Sequence, residues 1–182
     1  LDPQNIYAIA KEAGFRLVRY YRETKGLRAC SGILFNHESP RRGEDFVSRK
    51  ITAGVARIKL GLQEMLRLSH LEARRDWGHA RHYTEGMWRM LQQPVSQDLV
   101  LASGRFHTVG DWVRLAFEHA GLDASAHLIL EGPSTAHPDV TRLGNPARAW
   151  MVLGWAVGPA FESMVAEMVD AEVLDTAAEA AD

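Results

Sequence analysis

The chain has one cysteine, Cys30, among its 182 residues, so a disulfide framework is excluded and a reducing cytoplasm is the natural compartment. Neither sign of charge is in excess. Against 23 Asp and Glu stand 21 Lys and Arg, leaving −2 at pH 7, which argues against general nucleic-acid binding and its strongly basic domains. No apolar run nears the roughly 20 residues that cross a bilayer, and no signal-peptide pattern opens the chain, so no membrane partner is expected. Metal ligation finds little support: His79 and His82 are three apart, but nothing supplies a matching third ligand, and no metal is expected. Ser103-Gly104 lacks the setting of a nucleophile elbow. An initiating methionine is missing too. The chain opens on Leu1 and enters a helix-like pattern within a few residues, which reads as a processed chain or a piece of a longer one.

What is present has the apolar and charged fractions of an ordinary globular domain. Ile6, Ile9, Ala10, Ala13, Leu17 and Tyr20 recur at three-and-four spacing and predict a helix over 4–24, stopped at Lys25-Gly26. Residues 27–35 read as a buried strand, and Val47, Ile51, Val55, Ile58 and Leu62 mark a helix over 45–62. Further strands are expected at 65–69, 98–102 and 126–130, and further helices at about 79–92, from 109 with Thr108 as N-cap, from 146, and over 159–173. The Gly-, Pro- and Ser-rich 131–146 reads as a loop, and the final TAAEAAD as frayed. Strands alternating with helices predict an α/β architecture.

Positive charge gathers at the junctions. In NHESPRRGEDFVSRK (36–50), Arg41 and Arg42 follow a strand, and Arg49 and Lys50 fall in the next helix's first turn, against the positive end of its dipole. A loop leaving a strand for a helix is where α/β sheets bind ligands, and guanidinium forks fit phosphate oxygens. A solvated loop paired with Glu38, Glu44 and Asp45 fits the same composition. In ARRDWGH, Arg74 and Arg75 precede a helix start with Asp76 as cap. Three Arg-bearing junctions in a near-neutral chain point to a small polyanion such as a diphosphate. Tyr7 and Lys11, four apart, share a helix face; an ammonium beside a phenol favours tyrosinate, the state of a general base. A surface lysine beside a half-buried tyrosine has the same spacing.

Tyr7-x-x-x-Lys11, GILFNHESPRRGEDFVSRKI (32–51), ARIKLGL (56–62), RRDWGHARHY (74–83) and LGW (153–155) together resemble the GDP-mannose 4,6-dehydratase family of the extended short-chain dehydrogenase/reductase superfamily. The resemblance implies a partial Rossmann-like sheet with a small C-terminal α/β substrate-binding domain, the N-terminal cofactor-binding half being absent. On that basis 1–64 would be the end of the Rossmann-like domain, 65–175 mainly the substrate-binding domain with interleaved Rossmann elements, and 176–182 a frayed tail. It implies a lyase acting on GDP-mannose with NADP. Tyr7 takes the C4 hydroxyl proton as the C4 hydride leaves, the ketone acidifies C5, water is lost across C5 and C6, and the hydride returns to C6. By the same matching Lys11 holds the nicotinamide ribose, His37 and Arg42 contact NADP, and Asn36, Lys50 and Arg75 meet the nucleotide-sugar. A homo-oligomer is implied, together with a covalent or separate polypeptide supplying the N-terminal half. The chain departs from the family pattern at Asn5-Ile6 (Ser-Pro), Ser31 (Asn) and Ser69-His70 (Gly-Asn), and STAHPDVTRLGNP lacks the Arg of Arg-Pro-x-Glu. A non-catalytic nucleotide-sugar binder, or a related epimerase or ketoreductase, is the alternative.

Overall fold

The computed structural model describes residues 3–131 and 142–181. Helix α1, Ile6–Lys25, starts at Asn5, whose side chain accepts from the Ala8 amide at 2.8 Å, and ends at Gly26 in the left-handed region (φ 65°). Asn5 thus does the capping work open to a serine at that position. No residue of α1 is buried. Its apolar stripe is present as the periodicity predicts, yet Ile6 is 87 % and Leu17 57 % exposed.

The expected strand over 27–35 shifts toward the C-terminus and divides. β1 (Gly32–Leu34) pairs in parallel with β5 (Leu99–Leu101), and β2 (Asn36–Glu38) pairs in parallel with β4 (Arg74–His79). The polar Asn-His-Glu therefore lies in a sheet. Cross-strand pairing overrides its loop-like composition, and the Asn36 side chain adds a bond to the Asp76 carbonyl at 3.1 Å. RRDWGH is likewise a strand, not a helix entrance. Asp76 points into the interior from β4, and His79 takes the N-cap of α3 (Ala80–Gln92), its Nδ1 accepting from the Arg81 amide. β6 (Phe106–Thr108) lies antiparallel on the far side of β4, and β3 (Leu66–Leu68) pairs in parallel with β7 (Leu128–Leu130).

Helices α2 (Val47–Lys59), α4 (Val109–Ala120) and α7 (Phe161–Glu179) enclose the larger core: Ile51, Val55 and Ile58 meet Trp112, Val113 and Phe117, and Met164 and Met168 close it. α4 opens as expected on Thr108, in a reciprocal capping box with Asp111, and ends at Gly121. The short α5 (Ala124–His127) takes up the first half of the strand expected at 126–130. α6 (Ala147–Leu153) joins α3 and β5 in a second core built on Tyr83, Leu99, Leu101 and Trp155. α7 continues through Thr176-Ala-Ala-Glu179, so most of the expected frayed tail is helix, as an alanine-rich run favours. Most of the expected loop 131–146, and with it most of the Arg-Pro-x-Glu comparison, lies outside the described residues.

Candidate functional site

Three sets of polar and titratable side chains stand out. The first is on α1. Tyr7 is 72 % exposed in the first turn, and Lys11, one turn later on the same face, holds its Nζ 5.4 Å from the centroid of the tyrosine ring. The pair faces outward from the described residues.

The second is the turn from β2 into α2. Glu38 is almost fully buried. Its Oε2 accepts from the Ser48 hydroxyl at 2.6 Å and lies 3.0 Å from Arg42 Nε. The Arg42 contact is an ion pair without hydrogen-bond geometry, because the Nε–H is not directed at the oxygen. Burial pushes the Glu38 carboxyl up, against the opposing pull of Ser48 and Arg42. The Arg42 guanidinium lies over the Phe46 ring, 3.4 Å from its centroid. His37 Nδ1 is 2.8 Å from the Phe35 carbonyl oxygen, and its ring lies 5.5 Å from that of Tyr83.

Arg49 and Lys50 divide. Arg49 donates to the carbonyls of Pro40 (2.6 Å) and Arg42 (2.9 Å) and pairs with the buried Glu172 of α7, so its charge is used inside the fold. The expectation that both cations oppose the helix dipole in order to meet an anion does not hold for Arg49. Lys50 is exposed and has no ion pair among the described residues.

Arg75 stands apart. It is half-buried, lies opposite His107 in the β4–β6 ladder, and donates to the Arg74 carbonyl at 2.7 Å. Asn36–Glu38 lie beside Trp77–His79, so the basic turn leaves the C-terminal end of this parallel pair while Arg75 is near the start of β4. Four residues of strand, about 13 Å, separate Arg75 from His79. Arg42 in the turn and Lys50 in the first turn of α2 thus both follow the C-terminal end of β2, and Arg75 belongs to the other end of β4.

The third set was missed in the sequence. A cavity of about 640 Å³ is lined by Trp77, Ser103, His107, Trp150 and Trp155, among others. Behind it Asp76, with no exposed surface, gathers two other segments: Oδ1 accepts from the Ser103 amide (2.8 Å) and hydroxyl (2.7 Å), and Oδ2 from the amides of Gly104 (2.9 Å) and Gly144 (3.2 Å). Gly144 packs so close that a Cβ there would lie 2.1 Å from that of Ala102. The His107 ring stacks on Phe161 at 3.8 Å, and burial holds its imidazole below the usual range. The signal was the lone acid of RRDWGH, a strand whose last four residues, Asp76 to His79, are all buried. His79 and His82 have their rings 6.2 Å apart, and His79 Nε2 faces Glu167 at 3.2 Å.

No helix among the described residues is long and apolar enough to cross a membrane. The fold is shared widely. The structure of RMD from Pseudomonas aeruginosa complexed with NADPH superposes with a TM-score of 0.88 at 20 % identity, covering 96 % of this chain and 57 % of that one. A dTDP-glucose 4,6-dehydratase from Bacillus anthracis, in complex with NAD, gives 0.75 at 18 % identity, covering 94 % and 53 %. At these identities the likeness establishes the fold, which is Rossmann-like. Sequence relatives are more similar. GDP-mannose 4,6 dehydratase 2 of Caenorhabditis elegans is 43 % identical over 94 % of this chain and 49 % of its own length. GDP-mannose 4,6 dehydratase 1 of Arabidopsis thaliana is 44 % identical over 94 % and 48 %. The chain thus spans about half the length of these relatives. With the GDP-mannose 4,6 dehydratase family model matched over residues 1–168, the chain belongs to the GDP-mannose 4,6-dehydratase family.

Proposed function

We propose that this chain is the substrate-side portion of a GDP-mannose 4,6-dehydratase, a hydro-lyase that converts GDP-mannose to GDP-4-keto-6-deoxymannose. The observation that carries the reading is Tyr7 and Lys11 on one exposed face at the start of α1, within a chain that matches the family model over residues 1–168. A nicotinamide dinucleotide, for which we propose NADP, supplies hydride acceptance at the start and hydride return at the end, leaving no net redox change. The residues present fit one side of such a group. The Tyr/Lys pair suits its ribose and the C4 hydroxyl of the sugar, and the Arg42 turn suits a phosphate. No Gly-x-Gly-x-x-Gly turn for the pyrophosphate occurs in these 182 residues.

In this reading Tyr7 takes the proton from the C4 hydroxyl and Lys11 orients the ribose beside it. The C4 ketone acidifies C5, and water leaves across C5 and C6. His37 and Arg42 hold the cofactor, and Asn36, Lys50 and Arg75 hold the nucleotide-sugar. Arg75, at the other end of β4, would reach a different part of that ligand from Lys50. The bare apolar stripe of α1 supports a second body against this helix, from a preceding half of the same protein or from another polypeptide. A homo-oligomer in the cytoplasm completes the proposal.

The test is turnover. The chain joined to a family N-terminal half, given NADP⁺ and GDP-mannose, should yield a nucleotide-sugar lighter by one water in mass spectrometry, and Tyr7→Phe should lower kcat by at least about a hundredfold. Unchanged product formation by Tyr7→Phe would remove Tyr7 from the chemistry.

A further inference from the structure

We propose that Glu38 is the positioning residue for anion recognition by Arg42: it holds the Nε edge of the guanidinium so that the two Nη nitrogens meet a phosphate. This rests on the reading above, in which Arg42 contacts the phosphorylated cofactor.

Every constraint on Arg42 comes from its own turn or from the fold beneath it. Glu38 Oε2, 3.0 Å from Nε, holds one edge of the fork. The Phe46 ring covers one face at 3.4 Å. Beneath them Arg49 fixes the backbone, donating to the carbonyls of Pro40 and Arg42. Ser48, buried in the first turn of α2, fixes Glu38 in turn by donating to the same Oε2 at 2.6 Å. The Nη nitrogens donate no hydrogen bond among the described residues, although the Arg42 side chain is only 19 % exposed. An arginine held in this way loses its rotamer freedom on folding rather than on binding, and its fork geometry suits phosphate oxygens.

Burying Glu38 beside an arginine that answers to an anion makes little sense on charge alone. A carboxylate there repels the incoming phosphate, so by Coulomb's law its removal should tighten binding. If Glu38 acts by holding Arg42, removal should weaken binding although the site becomes more positive. The two accounts predict opposite signs.

The experiment measures binding of adenosine 2′,5′-bisphosphate, with 5′-AMP as reference, by calorimetry to the chain joined to a family N-terminal half, and to its variants. We expect Arg42→Ala to weaken the bisphosphate about tenfold and Glu38→Gln to weaken it roughly threefold or more. Glu38→Gln should add nothing in an Arg42→Ala background, because it acts only through that side chain. Ser48→Ala should shift affinity in the same direction by less, and it carries the test where Glu38→Gln fails to fold. If Glu38→Gln tightens binding or leaves it unchanged while Arg42→Ala weakens it, the positioning role is wrong and the phosphate reading stands. If Arg42→Ala has no effect, or the unaltered chain binds neither nucleotide, the phosphate reading falls and the positioning role with it. A readout without ligand is the ¹⁵Nε order parameter of Arg42. It should be well above that of exposed Arg41 in the unaltered chain and fall toward it in Glu38→Gln; equal values in the unaltered chain would overturn the proposal.

Discussion

Arg22 and Asp98, 76 residues apart, meet fork to fork, with Nη1–Oδ1 and Nη2–Oδ2 both at 2.7 Å. The same carboxylate accepts from the Ser31 amide at 2.7 Å, and Arg22 also donates to the Ala29 carbonyl at 3.1 Å. With no residue of α1 buried, this part-buried node anchors the helix that carries Tyr7 and Lys11. We expect Asp98→Ala to cost about 2 kcal/mol and to speed amide hydrogen exchange along α1 more than in α2, α4 and α7. Equal exchange throughout would show that α1 is held by something else.

Stability should fall in two steps on acidification. Burial holds the His107 imidazole below its ordinary value of 6.5. The unfolded chain therefore takes up this proton first, and stability declines as pH drops below that value. Asp98 is held low chiefly by the hydrogen bond from Arg22, and Asp111 chiefly by that from the Thr108 amide. Their contribution is complete above the ordinary carboxylate range near pH 4 and is lost as pH falls through the lower folded values. Glu38, pushed up by burial, runs the opposite way: its share is complete below the ordinary range and is lost as pH rises through the folded value. Urea titrations across pH should show a shallow limb below about pH 6.5, absent in His107→Gln, and a steeper one near pH 4, weakened in Asp98→Asn.

Local chemistry made the helices legible. Thr108 with Asp111, Gly26 and Gly121 stand where capping rules put them, and Ile51, Val55 and Ile58 face the core as their spacing requires. The strands were less legible because all but β4 are three residues long and some are partly polar. Asn36-His37-Glu38 becomes a strand only by lying against Trp77-Gly78-His79, a long-range fact with no local signature. The site divides in the same way. Residue type and position marked Tyr7, Lys11 and the arginine-rich turn, but which cation is free depended on Glu172, more than a hundred residues beyond Arg49. Composition could not distinguish an arginine used inside the fold from a lysine left outside it.

Asp76 should be worth more to the fold than any single surface charge. Its carboxylate accepts four donors from Ser103, Gly104 and Gly144 with no access to water. Asp76→Asn would set an amide NH₂ against N–H donors, so one oxygen's partners lose their acceptor. We expect a loss of roughly 3 kcal/mol in denaturant unfolding and displaced amide resonances at Ser103, Gly104 and Gly144. A loss below about 0.5 kcal/mol, typical of a surface change, would mean that Ser103-Gly104 and Gly144 hold their places without it.

Arg49 and Lys50 are adjacent in sequence and should respond oppositely to the same substitution. Arg49→Ala strips the partner from Glu172, a buried carboxylate, and releases the carbonyls of Pro40 and Arg42. An uncompensated buried charge costs on the order of 3–5 kcal/mol, so this variant should unfold far earlier and blur any binding measurement. Lys50→Ala removes an exposed ammonium without an ion pair among the described residues, and its stability should stay within about 0.5 kcal/mol of the unaltered chain. If Lys50 meets the nucleotide-sugar phosphates, its loss should weaken GDP binding about tenfold and flatten the salt dependence of what remains. Unchanged GDP affinity in Lys50→Ala, with the fold intact, would leave the first turn of α2 without a part in substrate recognition. The anion site would then rest on Arg42 and its buried carboxylate.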